Sequence, residues 1–156
     1  MCTRRETCVK AAAWMAAFAA HARGQGNAQG LRIPFNFASG RGSLVIPARI
    51  NRRAAQLIVD TGSSHTILRP SVAGVNRSEL SPPRAGAGVI GDAVGHEVTL
   101  EIGGRVWQRR RVSVMDLSAA LSAYQEKIDG LLGMDFLLEF SQAVINLKER
   151  LVTFIP

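Results

Sequence analysis

A mostly-β single domain with one or two short helices is the fold class this sequence predicts, on three observations. Short apolar runs recur along the chain and are broken by Gly, Pro and Asn turn signals. Fifteen Gly and six Pro punctuate 156 residues, leaving few uninterrupted helical stretches. Hydrophobic residues make up 47% and charged residues 20%, a globular mixture that argues against a mainly disordered chain. The length suits one core. No apolar run reaches the roughly 18 residues that a spanning helix needs, so no stable membrane span is expected.

The elements follow in order. Residues 1–22 read as an export signal. Arg4, Arg5 and Lys10 give a positive start, 11–20 is a short alanine-rich apolar run, and Ala20-His21-Ala22 fits a small-x-small cleavage pattern. A frayed N-terminal helix is the alternative. The signal implies a periplasmic or secreted protein. Residues 23–30 have linker composition, and 31–156 form the domain. Strands are predicted at 31–37 and 43–50, around a Gly40/Gly42 turn. Asn51-Arg52-Arg53 turns the chain into an apolar strand at 55–60. A short strand at 66–68 ends at Pro70. Residues 98–102 and 106–115 pair as a hairpin across Gly103-Gly104. Helices are expected at 118–127 and 135–140, and 143–147 and 151–155 make a closing hairpin.

The formal charge is +7, with sixteen Arg and three Lys. A basic chain can bind nucleic acid, but the one dense block, Arg109-Arg110-Arg111, lies in a predicted strand. Successive strand residues alternate faces and cannot form one basic stripe, so nucleic acid is not the expected partner. Cys2 and Cys8 both lie in the leader, which leaves the domain without a disulfide framework or a cysteine metal site. His21, His65 and His96 form no ligand spacing, and neither a metal nor a cofactor is expected.

The sharpest signal is Leu57-Ile58-Val59-Asp60-Thr61-Gly62-Ser63-Ser64. A carboxylate closes a buried apolar strand, where it is costly unless paired or used. A hydroxyl residue and a turn-permitting glycine follow. Further on comes Ile128-Asp129-Gly130-Leu131-Leu132-Gly133-Met134-Asp135-Phe136-Leu137. Its glycines suit a strand passing close beneath another backbone. Between the two lies Gly86-Ala87-Gly88-Val89-Ile90-Gly91. This matches the dinucleotide fingerprint in letters, but no strand precedes it and no helix follows it, so a nucleotide site is rejected.

These segments, in this order, resemble the single-domain, retropepsin-like aspartic proteases of the bacterial exported kind, across about 31–156. The resemblance implies a closed β-barrel equivalent to half of an acid protease. It assigns the catalytic carboxylate to Asp60, a bond bracing the two loops of a dimer to Thr61, and substrate contacts to Gly62 and Ser63. Gly86, Gly88 and Gly91 would belong to a hairpin flap over a polypeptide substrate. One Asp-Thr-Gly per chain implies a homodimer in which two copies of Asp60 share a proton. One carboxylate would activate water and the other would protonate the substrate carbonyl. A Ser63 hydroxyl donating to Asp60 would favour an acidic optimum. Retroviral members carry Gly-Arg-Asn or Gly-Arg-Asp where this chain has Gly133-Met134-Asp135, so the arginine bracing the dimer is missing. Residues 151–156 remain a candidate intersubunit strand.

Other candidates have plainer roles. His65 reads as a packing or hydrogen-bonding residue, Asp129 and Asp135 as turn and cap residues, and Trp107 and Phe136 as core. Ser43 and Ser63 lack the framing of a nucleophile elbow. The competing function is a catalytically silent module of the same fold that binds peptides or dimerises.

Overall fold

The computed structural model describes residues 30–39, 42–80 and 94–156. The export signal, the linker apart from Gly30, and Gly40 lie outside the described residues. Among the described residues, ten strands carry the fold: β1 Leu31–Pro34, β2 Asn36–Phe37, β3 Leu44–Ile50, β4 Arg53–Val59, β5 Ile67–Leu68, β6 Val94–Ile102, β7 Arg105–Val114, β8 Gly130–Leu132, β9 Gln142–Asn146 and β10 Leu151–Ile155. Two one-turn helices, Pro70–Ala73 and Met134–Leu137, complete it with a 3-10 turn at Arg77–Glu79. Among the described residues no helix is long and apolar enough to cross a membrane.

The larger sheet runs β2-β3-β4-β8-β5-β7-β6, and a further β3–β6 pairing closes β3 to β6 into a barrel. Closure follows from the turns. Asn51 and Arg52 both take positive φ and join β3 to β4, and Gly103 and Gly104 do the same between β6 and β7. Positive φ at both central positions matches the right-handed twist of the flanking strands. Asn51 also accepts a bond from the Thr99 N–H and donates to the Ala73 carbonyl, tying the turn to its surroundings. Inside the barrel, Ile46, Ile50, Leu57, Leu68, Leu100, Ile102 and Leu132 are fully buried. The alternation of β6 and β7 supplies much of this core.

A second sheet, β1-β10-β9, lies against the barrel. It contributes Ile33, Val152 and Phe154 to the same core. Phe136, fully buried, meets Trp107 edge-on at 5.0 Å and Phe154 at 5.8 Å. These edge-to-face geometries suit the ring quadrupoles. Trp107 is only partly buried, and its indole N–H donates to Glu139.

Several sequence expectations shift. Residues 118–127 form turns rather than a helix. One helical bond, from the Leu121 N–H to the Leu117 carbonyl, is made. Ser118 instead donates its N–H to Asp116, and the Ser122 hydroxyl bonds the Ala119 carbonyl. Such local bonds compete with a helix, and two apolar anchors do not offset the cost of its nucleus. Pro70 does not merely end a strand: it opens a helical turn that Gly74, at φ 84°, closes. The second helix starts at Met134 and stops at Leu137. β6 begins at Val94, well before the expected 98.

The C-terminal strand is also placed differently from the expected intersubunit role. β10 is flanked by β1 on one side and β9 on the other within its own chain. Its backbone groups are used, and the exposed edge of that sheet next to it is β9.

β8 runs parallel to β4 and antiparallel to β5, wedged between them. Gly130 makes this possible, since a Cβ there would lie 2.3 Å from the Ile67 carbonyl oxygen. Gly130→Ala must push β8 and β5 apart, so we expect a loss of about 2–4 kcal/mol in denaturant unfolding.

Candidate active site

Asp60 is the first residue beyond β4, where the chain leaves the barrel. Its N–H donates to the Leu132 carbonyl at 3.0 Å, which extends the β4–β8 pairing to the aspartate itself. The side chain is half-buried. Its Oδ1 accepts the Gly62 N–H at 2.9 Å, and the Ser63 N–H donates to the Asp60 carbonyl. The aspartate thus folds its own loop into a tight turn. Gly62 suits this arrangement, because a Cβ there would crowd Oδ1 at 3.2 Å. Thr61 and Gly62 are exposed.

The loop is held from below. Beyond β8, the Met134 and Asp135 N–H groups donate to the Ser63 and Ser64 carbonyls at 2.8 and 3.1 Å. Gly133 lies so close to the loop that a Cβ would sit 2.4 Å from the His65 carbonyl. This is the close passage beneath another backbone that the glycine spacing predicts.

Two polar groups lock the crossing. Thr66 is fully buried. Its N–H and hydroxyl both donate to Asp135 Oδ1, at 2.8 and 2.7 Å, and the Thr66 Oγ1 accepts the Gly133 N–H at 3.3 Å. Behind Asp135 lies Arg110 from β7. It donates to the Asp135 carbonyl at 2.7 Å, pairs with Glu139, and lies 5.8 Å from the Phe136 ring centre. A guanidinium therefore does meet the Met134–Leu137 helix, although it comes from β7 and not from position 134.

Asp60, Thr61, Gly62 and Ser63 are brought together in one loop. Gly86, Gly88 and Gly91 lie outside the described residues. One expected contact is corrected: the Ser63 hydroxyl donates to the His65 carbonyl at 2.7 Å, not to Asp60. A short polar side chain in a turn readily bonds backbone two residues on. The acidic optimum argued from a Ser63–Asp60 bond loses its basis.

The other carboxylates near the motif serve the scaffold. Asp129 is buried at the opposite end of β8, where its Oδ2 accepts the Gln56 N–H at 3.0 Å and Lys127 approaches Oδ1 to 3.4 Å. Asp135 is bound by Thr66 as described. Among the described residues, no cluster of three His, Cys, Asp or Glu could hold a metal. Further away, Asp116 pairs with Arg77, and bonds from Ser118 and Arg77 lower its carboxyl pKa to about 2.

Arg109, Arg110 and Arg111 diverge. A bulge opposite Val98–Leu100 gives Arg109 a φ of 48°. Arg110 turns in toward Asp135, and Arg111 is exposed. Sequence reasoning missed the Thr66–Asp135–Arg110 chain of contacts, which joins residues far apart in sequence. Asp135, two residues after Gly133, is its one local signal.

Comparison with known proteins agrees with this geometry. The family described as Aspartyl protease matches residues 46–136. That stretch is more than half of the chain and includes both the Asp60 loop and the Gly130–Asp135 crossing. The chain belongs to the aspartyl protease family. A crystal structure of a retropepsin-like aspartic protease from Rickettsia conorii superposes with a TM-score of 0.53 at 21% identity, covering 79% of this chain and 87% of that one. The fold is accordingly retropepsin-like. A retroviral protease-like domain from Leishmania major gives a TM-score of 0.45 at 20% identity, covering 72% and 87%. The EIAV protease complexed with the inhibitor HBY-793 gives 0.42 at 17%, covering 69% and 97%. No curated protein matches the chain.

Removing the Thr66 hydroxyl strips one donor from Asp135 and one acceptor from the Gly133 N–H. Thr66→Val is therefore expected to cost about 1–3 kcal/mol in denaturant unfolding.

Proposed function

We propose that this chain is an aspartic endopeptidase that works as a homodimer, with Asp60 of each subunit forming the catalytic dyad. The observation that carries the proposal is the state of Asp60. It is a half-buried carboxylate at the mouth of the barrel, held by one N–H bond, while Asp129 and Asp135 are bound into the scaffold. Among the described carboxylates at the crossing, one chain thus offers one for chemistry, and the reaction needs two.

The mechanism follows from charge. Two carboxylates in contact cannot both ionise readily, so they share one proton. The ionised member takes a proton from a water between them, and that water attacks the peptide carbonyl carbon. The protonated member gives its proton to the carbonyl oxygen. The proton taken from water then passes to the nitrogen, the C–N bond breaks, the amine leaves, and a hydroxyl of the tetrahedral species returns its proton to the dyad. No covalent enzyme intermediate forms. In this reading Thr61 reaches across the dimer, while Gly62 and Ser63 contact the polypeptide.

A surface for the second copy is supported by β9. All five of its residues are exposed. Val144 is 49% and Ile145 47% exposed, and the neighbouring Leu147 and Leu138 reach 62% and 74%. The edge carries no Lys, Pro or bulge to discourage pairing. A two-fold pairing of β9 with its copy would extend the β1-β10-β9 sheet across the dimer and cover these side chains. The periplasmic or secreted location belongs to the same proposal and rests on the N-terminal sequence.

Two experiments test it. Incubation with a peptide mixture, read by mass spectrometry, should show cleavage by the parent chain. Asp60→Asn should reduce the rate by at least about a thousandfold. No cleavage by a folded, dimeric parent would favour the silent module instead. Ile145→Arg should shift the protein from dimer to monomer in sedimentation and abolish cleavage with circular dichroism unchanged. A dimer that tolerates the substitution would exclude β9 as the interface.

A further inference from the structure

We infer that Arg111 and His65 form an anion-binding subsite that accepts an acidic side chain of the polypeptide substrate. The inference rests on the peptidase reading for the origin of its ligand. The site itself is a cleft of about 430 Å³ lined by His65, Gly95, Arg111, Val112, Ser113 and Asp135. Its position connects it to the candidate active site. His65 follows the Asp60 loop directly, and its carbonyl holds the Ser63 hydroxyl. Asp135 stands at the crossing beneath that loop. The cleft therefore lies beside the proposed reacting carboxylate rather than at it.

The charge on its wall is unbalanced. Among the described residues of the lining Asp135 is the one acid, and it is already satisfied by two bonds from Thr66 and by Arg110 behind it. Arg111 is exposed and makes no ion pair among the described residues. It has a carboxylate directly across the sheet, because Glu97 is its register partner on β6. The guanidinium instead lies over Gly95, where a Cβ would come within 3.3 Å of its Nε and Nη2. Gly95 therefore supplies the space that lets Arg111 turn into the cleft and away from Glu97. A planar guanidinium with free donors suits a carboxylate, which it can hold with two parallel bonds. His65, exposed and also in the lining, brings an imidazole N–H as a second donor. The buried Val112 and the half-buried Ser113 form a floor with no competing charge.

The test uses the full chain and a set of otherwise identical extended peptides. Each carries one Glu or one Gln at successive positions on either side of an apolar pair. Binding to the Asp60→Asn chain, read by fluorescence anisotropy, measures the subsite without turnover. At one position the Glu peptide should bind about three- to tenfold more tightly than its Gln counterpart, the range for a partly exposed, charge-assisted pair. The preference should weaken with added salt. It should vanish in Asp60→Asn/Arg111→Gln, whose unchanged affinity for the Gln peptide shows an intact fold. Equal affinities at every position, no binding of either series, or a Glu preference that survives Arg111→Gln would overturn the inference. Cleavage of the same peptides by the parent chain is scored separately. Cleavage without a Glu preference in binding removes the subsite and leaves the peptidase. Glu-selective binding without cleavage keeps the subsite and removes the peptidase.

Discussion

The passage of β8 between β4 and β5 is the constraint on which the rest of the structure depends. Three backbones share a space that two side-chain-bearing strands would fill. Gly130 and Gly133 leave it open, with carbonyl oxygens lying where their Cβ atoms would stand. The crossing fixes the height of the Asp60 loop, because the Asp60 N–H and the Ser63 and Ser64 carbonyls all bond to it. It also sets the start of the Met134–Leu137 helix, and so carries Phe136 into the aromatic cluster beneath. Geometry at the candidate site and packing in the core are one construction.

Burial decides what each carboxylate in that construction can do. Asp129 is 3% exposed and sits on the Gln56 N–H, which ties the entry of β8 to β4. Asp135 gathers the Thr66 donors and the Arg110 guanidinium, which ties its exit to β5 and β7. Asp60, just beyond the end of β4, is half-buried and takes one N–H bond among the described residues. The scaffold thus uses two acids for rigidity and presents a third. A rigid mount of this sort suits chemistry that depends on placing a carboxylate accurately.

Much of this is legible in the sequence. The run Leu57-Ile58-Val59 ahead of Asp60 marks a buried strand ending in an acid, and the structure makes it β4. The Gly130/Gly133 spacing marks a close backbone passage, and both glycines are pressed against carbonyls. The Gly103-Gly104 hairpin and the closing hairpin also lie where the turn residues put them. Sequence and structure diverge where local and distant demands compete. The segment 118–127 has helical composition, but Leu121 is its one deeply buried apolar side chain, and its serines bond locally. Ser63 lies near Asp60 in sequence, yet its hydroxyl finds the His65 carbonyl instead. The meeting of Arg110 with Asp135 has no local signature, since the two are joined only by barrel closure. Residues 151–155 read as a strand and form one, but their place in the middle of a sheet depends on β1, far away in the chain.

The proposed reaction stands on two chains each contributing one Asp60. Mixing tests this most directly. Parent and Asp60→Asn chains are denatured together, refolded at a series of ratios and assayed for peptide cleavage at constant total protein. If the reaction needs both carboxylates, only parent pairs are active and the rate falls as the square of the parent fraction. A linear fall would mean that each chain works alone, and the shared dyad would be wrong.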